Sequence, residues 1–291
     1  MKRSLLKAAA MAVVGLACIP NFAAAQDEAE TPDLVSGTFA TTFTTDYISR
    51  GIVLENQGLI AQPSIELSFN VIPDAGFAQN ISVYGGIWNS LHSNHEFAAD
   101  EDTEVWYEFD WYVGVGATFA DRIGTRFTYW EFISPSDAFG TAKNYELKVT
   151  YSDAGLISED FSINPYAVVF VETDGKAGTG SDEGVYVELG IGPSFAVEPV
   201  TLTFPIFTGI GFSNFYGSET DASDNETFGY AAAGVVASTP LEFLAPWGSW
   251  RLSAGVYFYY FGDGTEWAND AGAYTDKEWD VMGQLGISCA F

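Results

Sequence analysis

The sequence predicts an all-β fold: a transmembrane, antiparallel, up-and-down β-barrel of about twelve strands. Three observations carry this expectation. The first is the stretch Glu104–Phe119. Its odd positions (Val105, Tyr107, Phe109, Trp111, Val113, Val115, Ala117, Phe119) are apolar, while the even ones include Glu104, Glu108 and Asp110. Two-fold alternation of that length suits a strand with lipid on one side and a polar lumen on the other, and it is useless to a helix. The second is a leader of the secretory type. Lys2, Arg3 and Lys7 precede an apolar run from Ala8 to Ile19, then Pro20 and Ala23-Ala24-Ala25, so residues 1–25 read as a signal peptide. The third is an aromatic content of 16% without an apolar run near twenty residues outside the leader. Barrel walls carry aromatic girdles, and membrane helices need such runs.

Removing the leader takes away three bases and no acid, moving the formal charge from −28 to −31. So acidic a chain has no basic footprint for nucleic acid, which excludes phosphate-neutralising recognition. It attracts cations at long range. Cys289 is then the one remaining cysteine, which excludes an internal disulfide, and it reads as a small apolar side chain. No Cys/His spacing suggests zinc, and no cofactor is implied.

Residues 26–33 form a short acidic lead, and residues 34–291 the barrel. The first strand is expected over Val35–Arg50, with Phe39, Phe43 and Tyr47 opposite Thr42, Thr44 and Asp46. In the second, Ile65, Leu67 and Phe69 alternate with Glu66, Ser68 and Asn70. Pro73-Asp74-Ala75-Gly76 is a turn by composition. Ile81, Val83, Gly85 and Ile87 mark a third strand, with Tyr84 and Trp88 on its other face. After the polar loop Leu91–Thr103 comes Glu104–Phe119, then a tight turn at Asp121-Arg122. Strands follow near Ile123–Ile133, Asn144–Tyr151, Phe161–Glu172, Gly184–Val197, Thr201–Phe212, Thr227–Ser238, Trp250–Phe261 and Lys277–Phe291. Short and long connections alternate, as periplasmic turns and external loops do. The apolar connection Thr239–Gly248 fits the inner membrane interface. The last strand alternates and stops on Phe291. That resembles the assembly signal read by the barrel-insertion machinery, which with outer-membrane lipid would be a partner.

Parity assigns Asp46, Glu66, Glu104, Glu108, Asp110, Glu146 and Glu188 to the lumen, together with Arg50, Arg126, Lys148 and Arg251. Glu172, Glu278 and Asp280 share that parity. One reading is a water-filled pore for small solutes that favours cations, since carboxylate rings select them. Another is a sealed barrel in which the bases bridge the acids. Glu131 has lipid-facing parity, so it belongs near the outer end of its strand or beside a bulge. His92 and His95, in a Ser- and acid-rich loop, open a third class, an outer-membrane hydrolase with a histidine base, against solvated loop histidines. Loop acids at Asp100–Asp102, Asp221/Asp224/Glu226 and Asp263/Asp270/Asp276 suit calcium chemically but lack the ordered spacing of a calcium loop.

The segment Thr44-Thr45-Asp46-Tyr47-Ile48-Ser49-Arg50-Gly51-Ile52 resembles the signature of a family of conserved hypothetical Gram-negative outer-membrane proteins, Ser/Thr-Asp-Tyr-x-x-Arg-Gly-Ile. Gln57 and Gln62-Pro63 continue the likeness, and Tyr84-Gly85-Gly86-Ile87-Trp88-Asn89-Ser90 is similar to a second family segment. The resemblance covers roughly the first hundred residues after the leader. It implies an outer-membrane barrel of no established activity. Asp46 and Arg50, about 13 Å apart on an extended strand, would each meet a neighbouring strand near the rim. They would form either a ligand site or a latch on the first loop, with Gly51 permitting the sharp departure.

Overall fold

The computed structural model describes residues 34–93, 105–219, 221, 223–272 and 275–291. The leader, the acidic lead, Glu104, His95 and Asp100–Asp102 lie outside them. Among the described residues, twelve strands close an antiparallel barrel: β1 (Val35–Thr44), β2 (Ile60–Asp74), β3 (Gln79–His92), β4 (Trp106–Phe119), β5 (Ile123–Ile133), β6 (Ala142–Tyr151), β7 (Tyr166–Asp174), β8 (Val185–Ile191), β9 (Ile206–Phe212), β10 (Phe228–Pro240), β11 (Ser249–Phe261) and β12 (Trp279–Ala290). Each pairs with its chain neighbour. The ring shuts where β1 meets β12, Thr38 opposite Ala290 through Thr44 opposite Gln284. Closure leaves the twelve-strand ring without an edge, the condition for crossing lipid with strands. No described helix is long and apolar enough to span a membrane.

The alternation sorts side chains as charge parity requires. Val113 is 44% exposed on the outer wall, whereas Tyr112 is 2% exposed inside. Ile65, Leu67, Val115, Phe127, Leu147 and Leu285 join the apolar exterior. One end of the barrel has tight turns. Asp74 accepts the Gly76 N–H at 2.6 Å, with Gly76 at φ 82°. Ala120 and Asp121 both take positive φ in the turn to β5. The opposite end carries the longer connections, so the tight-turn end faces the periplasm. Phe243 and Trp247 stand exposed on the 3₁₀ turn Glu242–Trp247 at the tight-turn end, as an interfacial position favours.

Several boundaries differ from the expected ones, each for a local reason. β1 ends at Thr44, not Arg50. The chain then turns inward, and Tyr47 is buried in the lumen rather than set on the lipid face. The strand expected over Phe161–Glu172 breaks at Pro165, leaving Phe161–Ser162 as a separate piece. The strands on either side of Glu198 are interrupted at Pro193 and Pro205. Their distal halves form a small hairpin, Ser194–Val197 with Val200–Thr203, that extends the wall. Proline cannot donate to a ladder, so strands end or bend there. Where β3 pairs with β4, a register shift between Ser90/Glu108 and Leu91/Trp106 leaves Tyr107 extra and reverses parity above Glu108: Trp106 faces out, and Tyr107 faces in at 6% exposure. Glu131 lies near the loop end of β5, opposite Lys143, and accepts the Tyr129 hydroxyl at 3.3 Å. The connection Gly262–Asp276 contains a helix, α1 (Asp263–Ala271), where a loop was expected.

The interior packing has a recurring device. Inward tyrosines lie across inward glycines of the adjacent strand: Tyr112 over Gly86, Tyr84 over Gly114, Tyr166 over Gly190, Tyr230 over Gly209. A Cβ at these glycines would collide with the ring, so each pair is a fitted contact that glycine alone permits.

Candidate functional site

The loop-end half of the lumen is filled rather than open. After β1 the chain forms a hairpin, Tyr47–Ser49 with Ile52–Glu55, that folds down inside the barrel. Ile48 and Val53 are buried (0% and 1%) in one cluster with wall rings such as Tyr112, Phe132, Phe170 and Tyr257. Phe215 and Tyr216, from the β9–β10 connection, enter the same cluster. Helix α1 closes over them. Fully buried Asn269 takes the Val53 N–H on its side-chain oxygen at 2.8 Å and donates to the Gly51 carbonyl at 3.0 Å. The Tyr216 hydroxyl donates to the Arg50 carbonyl at 2.7 Å, and the Trp267 indole to the Gly217 carbonyl at 2.8 Å. The outer mouth is therefore capped by three connections that hold one another.

Of the expected lumen residues, Glu104 is outside the described set, Glu278 is exposed just before β12, and the following lie inside the barrel. Asp46 sits beside β12, its carboxylate taking the Thr45 hydroxyl. Glu66 and Arg126 form a bidentate pair at 3.1 and 2.6 Å, joined by the Tyr112 hydroxyl at 3.0 Å. The guanidinium also lies 3.6 Å over the Tyr84 ring. Glu188 is gripped by the hydroxyls of Tyr166, Tyr186 and Tyr230 at 2.7–2.8 Å. Glu146 interacts electrostatically with Lys148, whose ammonium lies 5.2 Å from the Tyr166 ring. Arg251, near the tight-turn end, donates to Ser238 at 2.9 Å. Glu172 accepts the N–H groups of Ala177, Gly178 and Gly184, pinning the glycine-rich loop.

Two arrangements were not anticipated. First, the charges are ordered along the axis. Glu108, Asp110 and Glu172 lie toward the loop end of their strands, whereas Arg126, Lys148 and Arg251 lie toward the tight-turn end. Second, Arg50 is not on the wall. It occupies the hairpin tip at φ 50°, next to Gly51 at φ 84°, and its side chain is buried among Phe170, Phe132 and Tyr186. The separation expected for a straight strand therefore does not apply. Beneath the hairpin, Glu108 and Asp110 project from alternate positions of β4. Tyr47 donates to Glu108 at 2.7 Å. Asp110 is 0% exposed and shares a hydrogen bond with Glu108; among the described residues no other group donates to its carboxylate. An anionic carboxylate in that position is costly without a cation or a shared proton.

His92 also acquires partners that its sequence position concealed. Its Nε2 lies 2.8 Å from Ser90 Oγ, its Nδ1 4.0 Å from Glu55, and its ring stacks on Tyr107 at 4.4 Å. The order serine, histidine, carboxylate is that of a hydrolase. The 4.0 Å separation exceeds hydrogen-bond range, however, and all three side chains are buried, at 0%, 0% and 4% exposure. The geometry joins the hairpin to β3. In the external loops, the Asp221 carboxylate accepts the N–H and hydroxyl of Ser223, which hold it below the usual range. On α1, partial burial and then the charges of Glu278, Asp263 and Asp270 push the Glu266 carboxyl up.

A closed barrel with an apolar exterior and a polar, capped interior defines an outer-membrane β-barrel protein, and this chain has that fold. No family model and no curated relative matches it. Among solved structures it is similar to an outer-membrane channel from Pseudomonas putida F1, at a TM-score of 0.50 and 10% identity over 91% of this chain and 100% of that one. It is also similar to the NanC porin, at a TM-score of 0.45 and 9% identity over 86% and 98% of the two chains. A third is the transport unit of the autotransporter AIDA-I from Escherichia coli, at 0.41 and 11% over 92% and 93%. At these identities the likeness concerns fold.

Proposed function

We propose that the protein is an outer-membrane channel for small solutes with a preference for cations, held shut in the present conformation by its first-loop hairpin. The observation that carries this reading is the buried carboxyl pair Glu108–Asp110 beneath that hairpin, with no donor to Asp110 from outside the pair among the described residues. Two carboxyl groups buried side by side suit a cation path and are a burden in a purely structural core. The obstruction is made of connections, not of barrel strands, so their joint withdrawal frees the outer half of the lumen without disturbing the wall. The acidic chain concentrates cations at the mouth.

Reconstitution into planar bilayers with a salt gradient tests the reading. A reversal potential of the sign for cation permeation, reduced by Glu108→Gln with Asp110→Asn, is expected. Anion preference would overturn it. The sealed-barrel reading draws on a specific observation too, the aromatic filling of the outer lumen with the Glu66–Arg126 pair. Absence of current in wild type and in hairpin-loosened variants selects it. We read Ser90, His92 and Glu55 as a latch, not a catalytic centre, and the protein as non-enzymatic. Kinship with the Ser/Thr-Asp-Tyr-x-x-Arg-Gly family is proposed on the same footing; its signature is the segment that here forms the hairpin.

A further inference from the structure

The Arg50 side chain has an environment that its position in a loop does not require. Its guanidinium carbon lies 3.9 Å from the centre of the Phe170 ring, with Phe132 at 5.4 Å and Tyr186 at 5.8 Å. All three fall within the range of cation–π attraction, which strengthens when the cation is removed from water. Glu108, Asp110 and Glu172 are near enough to feel its charge. Rings on β5, β7 and β8 and carboxylates on β4 and β7 thus enclose one flat cation. The wall supplies the rings and carboxylates; the hairpin supplies the cation and one acceptor, the Ser49 hydroxyl at 3.2 Å from Arg50 Nη1. The tip that carries it is a non-glycine residue in the left-handed region, a conformation retained only where its surroundings enforce it.

We propose that this ring-and-carboxylate cage is a binding site for solutes bearing a guanidinium or a similarly flat organic cation, and that Arg50 is its built-in occupant, displaced when such a solute enters. A wall that encloses a tethered guanidinium presents the same surfaces to a free one. The buried Glu108–Asp110 pair, to which Arg50 makes no hydrogen bond, offers an entering cation acceptor oxygens. Planarity sets the class, because a stacked guanidinium makes ring contacts that a compact ammonium does not. This assignment deepens the channel reading and rests on it for the route of entry, while binding is tested separately.

The probe is agmatine, with glutarate as the anionic control, added to the full-length protein in detergent micelles and followed by titration calorimetry. Arg50→Gln vacates the cage at nearly constant side-chain length. It is expected to bind agmatine at least tenfold tighter than wild type and to ignore glutarate. Phe170→Leu in that background is expected to weaken binding about tenfold, the size of one desolvated cation–π contact. Should Arg50→Gln lose its folded, heat-modifiable migration, Arg50→Lys replaces it, and tighter agmatine binding than wild type is again expected. Equal affinity in wild type and the Arg50 variant, or no effect of Phe170→Leu, overturns the proposal. Bilayer current separates the two claims. Current without agmatine binding removes the cage and keeps the channel; binding without current removes the channel and keeps the cage.

Discussion

Asn269→Ala isolates the hold of α1 on the hairpin. The side chain is fully buried and makes two hydrogen bonds to the hairpin backbone, at 2.8 Å from the Val53 N–H and 3.0 Å to the Gly51 carbonyl. Alanine removes both partners and leaves a donor and an acceptor stranded, at about 1–3 kcal/mol each. Some relaxation is available to the Gly51 carbonyl, so a total of about 2–4 kcal/mol is expected. If that energy is lost only from the capped state, the ratio of capped to uncapped molecules falls roughly 30- to 700-fold. Two measurements read the change. Hydrogen exchange of the amides in residues 47–55 accelerates by that factor, while the amides of β4 and β5 do not. In bilayers, the fraction of time spent conducting rises. Unchanged exchange in residues 47–55, in a variant that still migrates as a folded barrel, would refute the claim that α1 clamps the hairpin.

Other perturbations test other parts of the structure. Arg126→Ala leaves Glu66 with the Tyr112 hydroxyl alone; because a third of the Arg126 side chain is exposed (33%), a loss of about 2–4 kcal/mol is expected, below that of a fully buried pair, and denaturant unfolding from micelles reads it. Val113→Arg puts charge on the outer wall and is expected to cost about 2–4 kcal/mol near the bilayer midplane, measured by folding into vesicles, whereas Glu131→Leu near the rim shifts stability by about 1 kcal/mol or less. The Glu266 carboxyl is pushed above its ordinary value in the folded state, so the fold binds the proton more tightly than the unfolded chain does. Its contribution is therefore favourable in acid and declines as pH rises through the window just above the usual glutamate range. Protection of α1 amides, corrected for intrinsic exchange, should fall across that window, and Glu266→Gln should flatten the dependence.

The wall was legible in the sequence because lipid and lumen impose opposite demands on alternate residues. Val113 and Asp110 report their sides by chemistry alone. The tight turns were legible for the same kind of reason, since Asp74 and Gly76 have few other uses. What fills the lumen was not legible. Tyr47, Phe215 and Tyr216 belong to connections whose burial depends on contacts between segments far apart in the chain. Tyr107 and Trp106 exchanged faces because a register shift leaves no compositional trace. One overlooked signal was present: glycines recur at inward positions such as Gly86, Gly114 and Gly116, next to strands bearing inward tyrosines. Glycine facing a wide water channel would have no packing purpose. Facing a neighbour's ring, it is necessary. Pooling all lumen charges also hid their order along the axis, because parity gives the side of a residue and not the company it keeps.

The clamp between Asn269 and the hairpin joins the connection that follows β1 to the one that precedes β12. Those two segments are among the first and last parts of the barrel to be synthesised, and they become neighbours only when the seam between β1 and β12 zips shut. The clamp therefore reaches across that seam, and its two halves face each other in the closed ring. A cylinder still lacking its last stave could not fasten this corner of its lid.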